Sequence, residues 1–431
     1  MDALSLGFIA IIAFILLALM GLPLAFCFTA VGFVGLASLR GISPAMALLG
    51  ETPYSAVASY ILCAVPLFIL MGQFVFYSGV SRDLFAAAHK WMSRLPGGIA
   101  QATMLACTAF AACTGSSVAS AATMGAVAYP EMRRYNYSSR LATGTIAAGG
   151  ALGILIPPST IFIILGIITE TSIGVLFIAG LLPGLLLAGL FLLLIIIMCK
   201  INPSLGPIGA SYPLRERVSA LTGVWGMLVL FIIVLGGLYF GVFAPSEAGT
   251  IGALGALIIA ITKRTKSSAI ITAFKEAAFT TSYILFILIG AHIFNTFLAL
   301  GGVSSALGNW ILGLSMPPMV TFIIILIAYI PLGMFIDPLG AILLTVPVFF
   351  PVVQQLGFDP VQFLVLVCVM TELGLITPPV AINVYIVQGV TKVPMLDVFR
   401  GIVPFAIMFL IGIALMVAFP QIILFLPETM Q

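Results

Sequence analysis

The two halves of this chain repeat one another. The string LFILMG at 67–72 returns as LFILIG at 285–290, and GILIPPST at 153–160 returns as GLITPPVA at 374–381. From Pro130 onward the offset is a constant 221 positions, pairing Pro130 with Pro351, Pro157 with Pro378, Pro158 with Pro379 and Pro183 with Pro404. A two-fold repeat leaves few folds open. When both copies are apolar throughout, it points to a transporter whose site lies where the halves meet.

The apolar character is not in question. Hydrophobic residues fill 62% of the 431 positions and charged residues only 7%, against roughly a quarter charged in soluble domains. The chain is therefore expected to be an all-α polytopic membrane protein. Its net charge of +3 comes from short basic clusters rather than a continuous basic face, which sets nucleic-acid binding aside. The six cysteines sit in apolar stretches without CxxC spacing, so they read as buried thiols. No basic segment precedes the first apolar run, which is expected to remain as a span rather than be cleaved. Ser116 and Ser117 have no neighbouring base and no hydrolase or nucleotide motif occurs, so no enzyme is indicated and no cofactor is expected.

Topology follows from where lysine and arginine gather, since these residues mark the cytoplasmic side. Clusters at 82–94, 133–140, 200–217, 263–275 and 392–400 are assigned there. Segment 97–130 then has both basic flanks on one side although it is long and apolar, so it must enter and return. Its tip, Thr114-Gly115-Ser116-Ser117, splits it into arms of about 15 residues, each short of the 20 or so that span a bilayer. This is a re-entrant hairpin. The stretch 141–169 carries Gly153 and the breaker Pro157-Pro158, and reads as one span of two half-helices around an unwound waist.

The second half presents the same parts inverted: hairpin 318–351 with Asp337-Pro338-Leu339-Gly340 at its tip, then broken span 361–390 with Gly374 and Pro378-Pro379 at the waist. The repeats divide at 1–217 and 218–431. At the front, 3–20 and 24–38 pair with 220–242 and 247–262, giving five crossings per half and both termini outside. The competing reading is one long tilted helix over 3–38.

Tips and waists meeting near the midplane supply backbone carbonyls, hydroxyls and a carboxylate for a sodium ion. Gly115, Ser116, Ser117, Gly153 and Pro157 form the first candidate cluster; Asp337, Gly340, Gly374, Thr377 and Pro378 form the second. Ser117, Ser159 and Asn383 are the candidate solute contacts. Small residues also serve close helix packing, and Asp337 could act only as a helix cap. Glu372 stands just before the second waist, there or near the external surface, while His292 and Asn295 read as interhelical hydrogen bonders.

With CTGSSVASAATMG, GGALGILIPPS, GMFIDPLGAILLTVPVFFPV and ELGLITPPVAINVY in these positions, the chain resembles the large membrane subunit of tripartite ATP-independent periplasmic (TRAP) transporters, the DctM family. The resemblance covers essentially the whole chain. It implies an inverted-repeat, elevator-type transporter of the bacterial inner membrane, in which hairpins and broken helices move through a scaffold. It also implies coupling to sodium, a periplasmic binding protein (DctP type) that delivers an organic acid such as a C4-dicarboxylate or a sialic acid, and a small four-helix membrane subunit (DctQ type), expected here as a separate polypeptide. By position, Ser116, Ser117, Gly153 and Pro157 match one family sodium site, and Asp337, Gly374 and Thr377 the motif region of the other. A stand-alone anion carrier and an anion channel are the alternatives. No arginine lies in the tips or waists, so no carboxylate clamp can be named.

Overall fold

The computed structural model of the protein describes residues 3–314 and 316–430, and every regular element among them is a helix. At the front, helices Ala3–Leu19 and Leu24–Arg40 are separated by Gly21, which adopts a left-handed φ of 83°, and by Pro23. They fold back on one another, with the Phe14 and Phe28 rings 4.3 Å apart and Leu6 and Gly35 bordering a common groove. The front of the chain is therefore two helices and not one long one. Their second-half equivalents are Trp225–Tyr239 and Pro245–Thr262, the former entered from Leu214–Leu221 at a 55° bend.

The next element shows where the repeats diverge. In the first half, Ile42–Ser55, a 3₁₀ turn at Tyr60–Cys63 and Ala64–Tyr77 are separate pieces. In the second half the corresponding stretch is one 34-residue helix, Ser267–Leu300, roughly 50 Å long and so longer than the bilayer core. The two halves exchange partners. A Cβ added to Gly32 of Leu24–Arg40 would lie 2.7 Å from the Phe294 Cα of the long helix, and one on Gly290 would lie 2.7 Å from Ala25 O. The mirror contact sets Gly249 and Gly252 of Pro245–Thr262 against Leu67 and Met71 of Ala64–Tyr77. With lipid as solvent there is little hydrophobic gain between helices, so close approach over small residues carries the packing.

Both hairpins and both broken spans are present. Hairpin 1 comprises Gly98–Thr114 and Ser117–Arg134, and hairpin 2 comprises Pro318–Phe335 and Pro338–Gln355. Their arms are 17 or 18 residues long, against about 15 expected for hairpin 1, and both second arms continue past Pro130 and Pro351, which lie inside them instead of ending them. The first broken span runs Ser139–Gly150, a 3₁₀ turn to Gly153, then Thr160–Thr169; the second runs Pro360–Ile376, then Ile382–Thr391. Seven of the described helices are long and apolar enough to cross a membrane, eight if the bent pair counts as one. That tally differs from the ten expected crossings in its members: the 17-residue front helices and the half-helices of the broken spans individually fall short, whereas both arms of hairpin 2, expected to enter and return, are long enough to be included.

On the side carrying the basic clusters, the linker between the repeats is tied down. The Tyr137 hydroxyl accepts from Ile99 N at 3.0 Å and donates to Pro207 O at 2.9 Å. Burial pushes this phenol up to about 12, partly offset by the Ile99 bond, so both contacts persist across the physiological range. Lys263 pairs with Asp83 and donates to Gly223 O at 2.9 Å. Five of the six cysteines are buried; Cys63, in the 3₁₀ turn, is exposed and departs from the expectation.

Candidate transport site

Each hairpin tip is built by one side chain that starts the returning arm, and the two are 221 positions apart. Ser116 is extended at φ −139°, ψ 119°, and its Oγ accepts from Ala119 N at 3.3 Å. Asp337 does the same for the second arm, with Oδ2 accepting from Leu339 N at 3.1 Å. Such caps satisfy amides that a helix start leaves without partners. Capping occupies Asp337 without enclosing it: the residue remains exposed within the cavity it lines.

The waists are fixed by what proline removes. Pro157 and Pro158 have no N–H, so the carbonyls of Gly153 and Ile154 lose their helical donors; Pro378 and Pro379 do the same to Gly374 and Leu375. Gly374 O is recovered by Thr377 N at 3.1 Å. Ile154 and Leu375, again 221 apart, both line the same cavity. The first waist is buried and the second is open, with Pro378 and Pro379 exposed.

Glycine lets tip and waist touch in the first half. Gly115, left-handed at φ 57°, has no room for a Cβ, which would stand 2.9 Å from Pro158 O. A Cβ on Gly153 would stand 2.8 Å from the Ser116 carbonyl. Gly115, Ser116, Ser117, Gly153 and the residues around Pro157 thus form one cluster. In the second half, Gly374 packs on the first arm of hairpin 2, 2.7 Å from Gly333 Cα for an added Cβ, rather than on its tip.

A cavity of about 410 Å³ joins the halves. It is lined by the tip residues Thr114 to Ala119, by Asp337 to Leu339, by Ile154 and Leu375, and on helices Ala64–Tyr77 and Ser267–Leu300 by Gln73, Thr280 and Tyr283. Its polar groups are hydroxyls, one amide and one carboxylate, with no lysine or arginine. An all-oxygen donor set of hydroxyls, a carboxylate and freed carbonyls suits a hard cation.

Of the remaining candidates, Ser117 lines the cavity, whereas Ser159 and Asn383 are fully enclosed and do not. Ser159 accepts from Phe162 N at 3.4 Å as a cap, and neither polar atom of the Asn383 side chain has a partner. Gly340 is turned away against Leu24 and Ile336, and Thr377 Oγ1 donates to Leu373 O at 2.6 Å.

One bond bridges the repeats at the site. Ser117 Oγ donates to Glu372 Oε1 at 2.8 Å, with Glu372 wholly buried and its Oε2 without a partner. Glu372 is therefore internal and not near the external surface. The sequence motif marks Glu372 but carries no signal for its partner. Gln73, Thr280 and Tyr283 carry no motif signal either: Gln73 is a lone amide in the apolar Ala64–Tyr77, and Thr280 and Tyr283 belong to the Thr280-Thr281-Ser282-Tyr283 run, which matches no motif.

Comparison with known proteins gives a consistent result. Residues 11–422 match the family model described as tripartite ATP-independent periplasmic transporter, DctM component. The chain is 34% identical over 372 residues to the C4-dicarboxylate TRAP transporter large permease protein DctM of Pseudomonas aeruginosa, covering 86% of each chain. It is 31% identical to the sialic acid TRAP transporter large permease protein SiaM of Vibrio cholerae, covering 95% of each. Its fold is similar to that of the YdaH transporter of Alcanivorax borkumensis, with a TM-score of 0.62 at 15% identity over 87% of this chain and 88% of that one.

Proposed function

Because the chain belongs to the DctM family of large TRAP transporter permeases, we propose that it imports a carboxylated organic solute on a sodium gradient. The family is a transporter permease and not an enzyme. The observation that carries the sodium reading is the cavity where the Ser116–Ser117 tip faces Asp337, with proline-freed carbonyls at both waists and no fixed cation among its lining residues. Sodium bound there would neutralise Asp337 and so remove the repulsion that this carboxylate would exert on an organic anion; the cavity lining offers no arginine or lysine to do so.

The solute class, a C4-dicarboxylate or a sialic acid, is carried over from the relatives' names. A tripartite assembly in the bacterial inner membrane, with a DctP-type binding protein and a DctQ-type small subunit, is proposed on the same ground. An elevator movement is supported by the distribution of contacts: the hairpin 1 tip packs on the first waist and bonds to the second broken span, so these elements would travel as one body past the scaffold.

Thermal unfolding of the purified chain in sodium chloride against potassium or choline chloride at equal ionic strength tests the coupling ion. A ligand specific for the folded state adds about 2.7 kcal/mol at a hundredfold excess over its Kd. A sodium-specific rise lost in Asp337→Ala and Ser116→Ala is expected. Equal stability in all three salts would remove sodium coupling.

A further inference from the structure

The short helix that joins the repeats, Leu214–Leu221, turns an apolar face away from the rest of the chain. It leads into the spanning helix Trp225–Tyr239 at a bend of 55°. With 3.6 residues per turn, Leu214, Val218 and Leu221 fall within about 60° of one another. All three are exposed, as is Trp225 at the start of the span, and the exposed side of the span goes on with Leu228 and Ile232. An apolar stripe that leads into a membrane span is not a surface for water.

Basic side chains border the stripe on both sides. Around the helix, Arg215 stands about 100° to one side of Leu214 and Arg217 about 60° to the other, with Glu216 nearly opposite. Glu216 pairs at 3.8 Å with Lys90, on the helix Val80–Met92 packed behind it. Two further bonds hold the junction: Trp91 Nε1 donates to Arg217 O at 3.0 Å, and Arg94 Nε donates to Ser211 Oγ at 2.7 Å. Arg217 Nε donates to Tyr212 O at 3.0 Å, whereas Arg215 is exposed and takes part in no ion pair or side-chain hydrogen bond among the described residues. Lys90, Arg94, Arg215 and Arg217 share this junction with the single carboxylate of Glu216, so it keeps a positive excess.

We propose that Leu214–Leu221 lies in the headgroup layer as an anchor for the linker between the repeats, and that its partner is anionic phospholipid. The apolar stripe enters the acyl boundary, while Arg215 and Arg217 reach past it to headgroup phosphates. Exposed Trp91 and Trp225 stand at the depth where amphipathic rings gather. The positive excess selects anionic over zwitterionic lipid, since each lysine or arginine near a negative surface favours binding about fivefold. A helix of eight residues turned 55° from its span offers another span little length to pack along, which favours lipid over a second membrane protein. On the reading of the basic clusters as cytoplasmic, the layer is that of the inner leaflet.

The test is quenching of Trp225 fluorescence by brominated phosphatidylglycerol and by brominated phosphatidylcholine in mixed vesicles, with the full chain alone and together with the DctQ-type small subunit. The difference between wild type and Trp225→Phe isolates this tryptophan. Both lipids are expected to quench, with phosphatidylglycerol preferred at least tenfold. Arg215→Gln, which breaks no ion pair or side-chain hydrogen bond among the described residues, is expected to lower the preference about fivefold. Arg264→Gln, in a separate exposed basic cluster, leaves it unchanged. Leu214→Ser combined with Val218→Ser weakens quenching by both lipids, and about 1 M salt removes the preference but not the quenching. Equal quenching by the two lipids, quenching by neither, or a preference unchanged in Arg215→Gln overturns the anchor. Quenching that is lost when the small subunit is present also overturns it and gives this face to a protein.

Discussion

At the scale of single residues, Ser117 and Ser116 are neighbours with unequal duties. Ser116 caps a helix, and removing such a cap costs about 1 kcal/mol. Ser117 holds a carboxyl that is wholly buried, and its loss strips the one hydrogen bond that Glu372 Oε1 has. A buried polar group left unpaired costs about 1–3 kcal/mol, more if charged. Ser117→Ala is therefore expected to lower the melting temperature in sodium-free buffer more than Ser116→Ala does. Glu372→Gln, whose amide oxygen can still accept from Ser117, should fall between wild type and Ser117→Ala. A larger loss in Ser116→Ala would mean that the bridge is not a structural contact. The bond was not legible beforehand, because its partners are 255 positions apart and only the packing of opposed repeats brings them together.

At the scale of elements, both hairpins and both waists were legible because proline and glycine act locally. A missing N–H breaks a helix wherever it falls in an apolar run, and a polar tip between two short apolar arms has no other stable arrangement in lipid. Less legible was how far each arm continues past its own proline, which depends on neighbours re-satisfying the freed backbone groups. The break at residues 56–63, where the second repeat has one unbroken helix, is not legible in the sequence either; it exposes Cys63. With the basic clusters cytoplasmic, Cys63 sits at the outer end of Tyr60–Tyr77. A membrane-impermeant maleimide applied to intact spheroplasts is expected to label wild type and not Cys63→Ser. Labelling that appears only after the inner face is opened would reverse the topology.

At the scale of the whole molecule, the repeats meet mainly across close contacts without charge, with the ion pairs Lys263–Asp83 and Arg140–Asp397 at partly exposed positions. Gly32 meets the backbone of the long helix, whereas Lys263 and Asp83 form a partly exposed pair, 24% and 41% accessible. Exposed pairs contribute about 0–1 kcal/mol and are screened by salt, while overfilling a close contact costs about 1–3 kcal/mol. Gly32→Val should lower the melting temperature clearly, and Lys263→Ala should barely move it; the reverse ranking would mean that the electrostatic tie dominates. The sequence by itself determined the membrane class, the two-fold repeat, the hairpins and the broken spans, because each rests on hydropathy, on proline's missing donor or on where basic residues gather, all of which act within one segment. Only the tertiary structure decided that Asp337 both caps a helix and faces the cavity, that Ser159, Asn383 and Gly340 do not line it, and that Ser117 reaches Glu372. Those outcomes depend on which face each helix turns to its neighbours, and in a chain apolar on nearly every face hydropathy does not encode that choice.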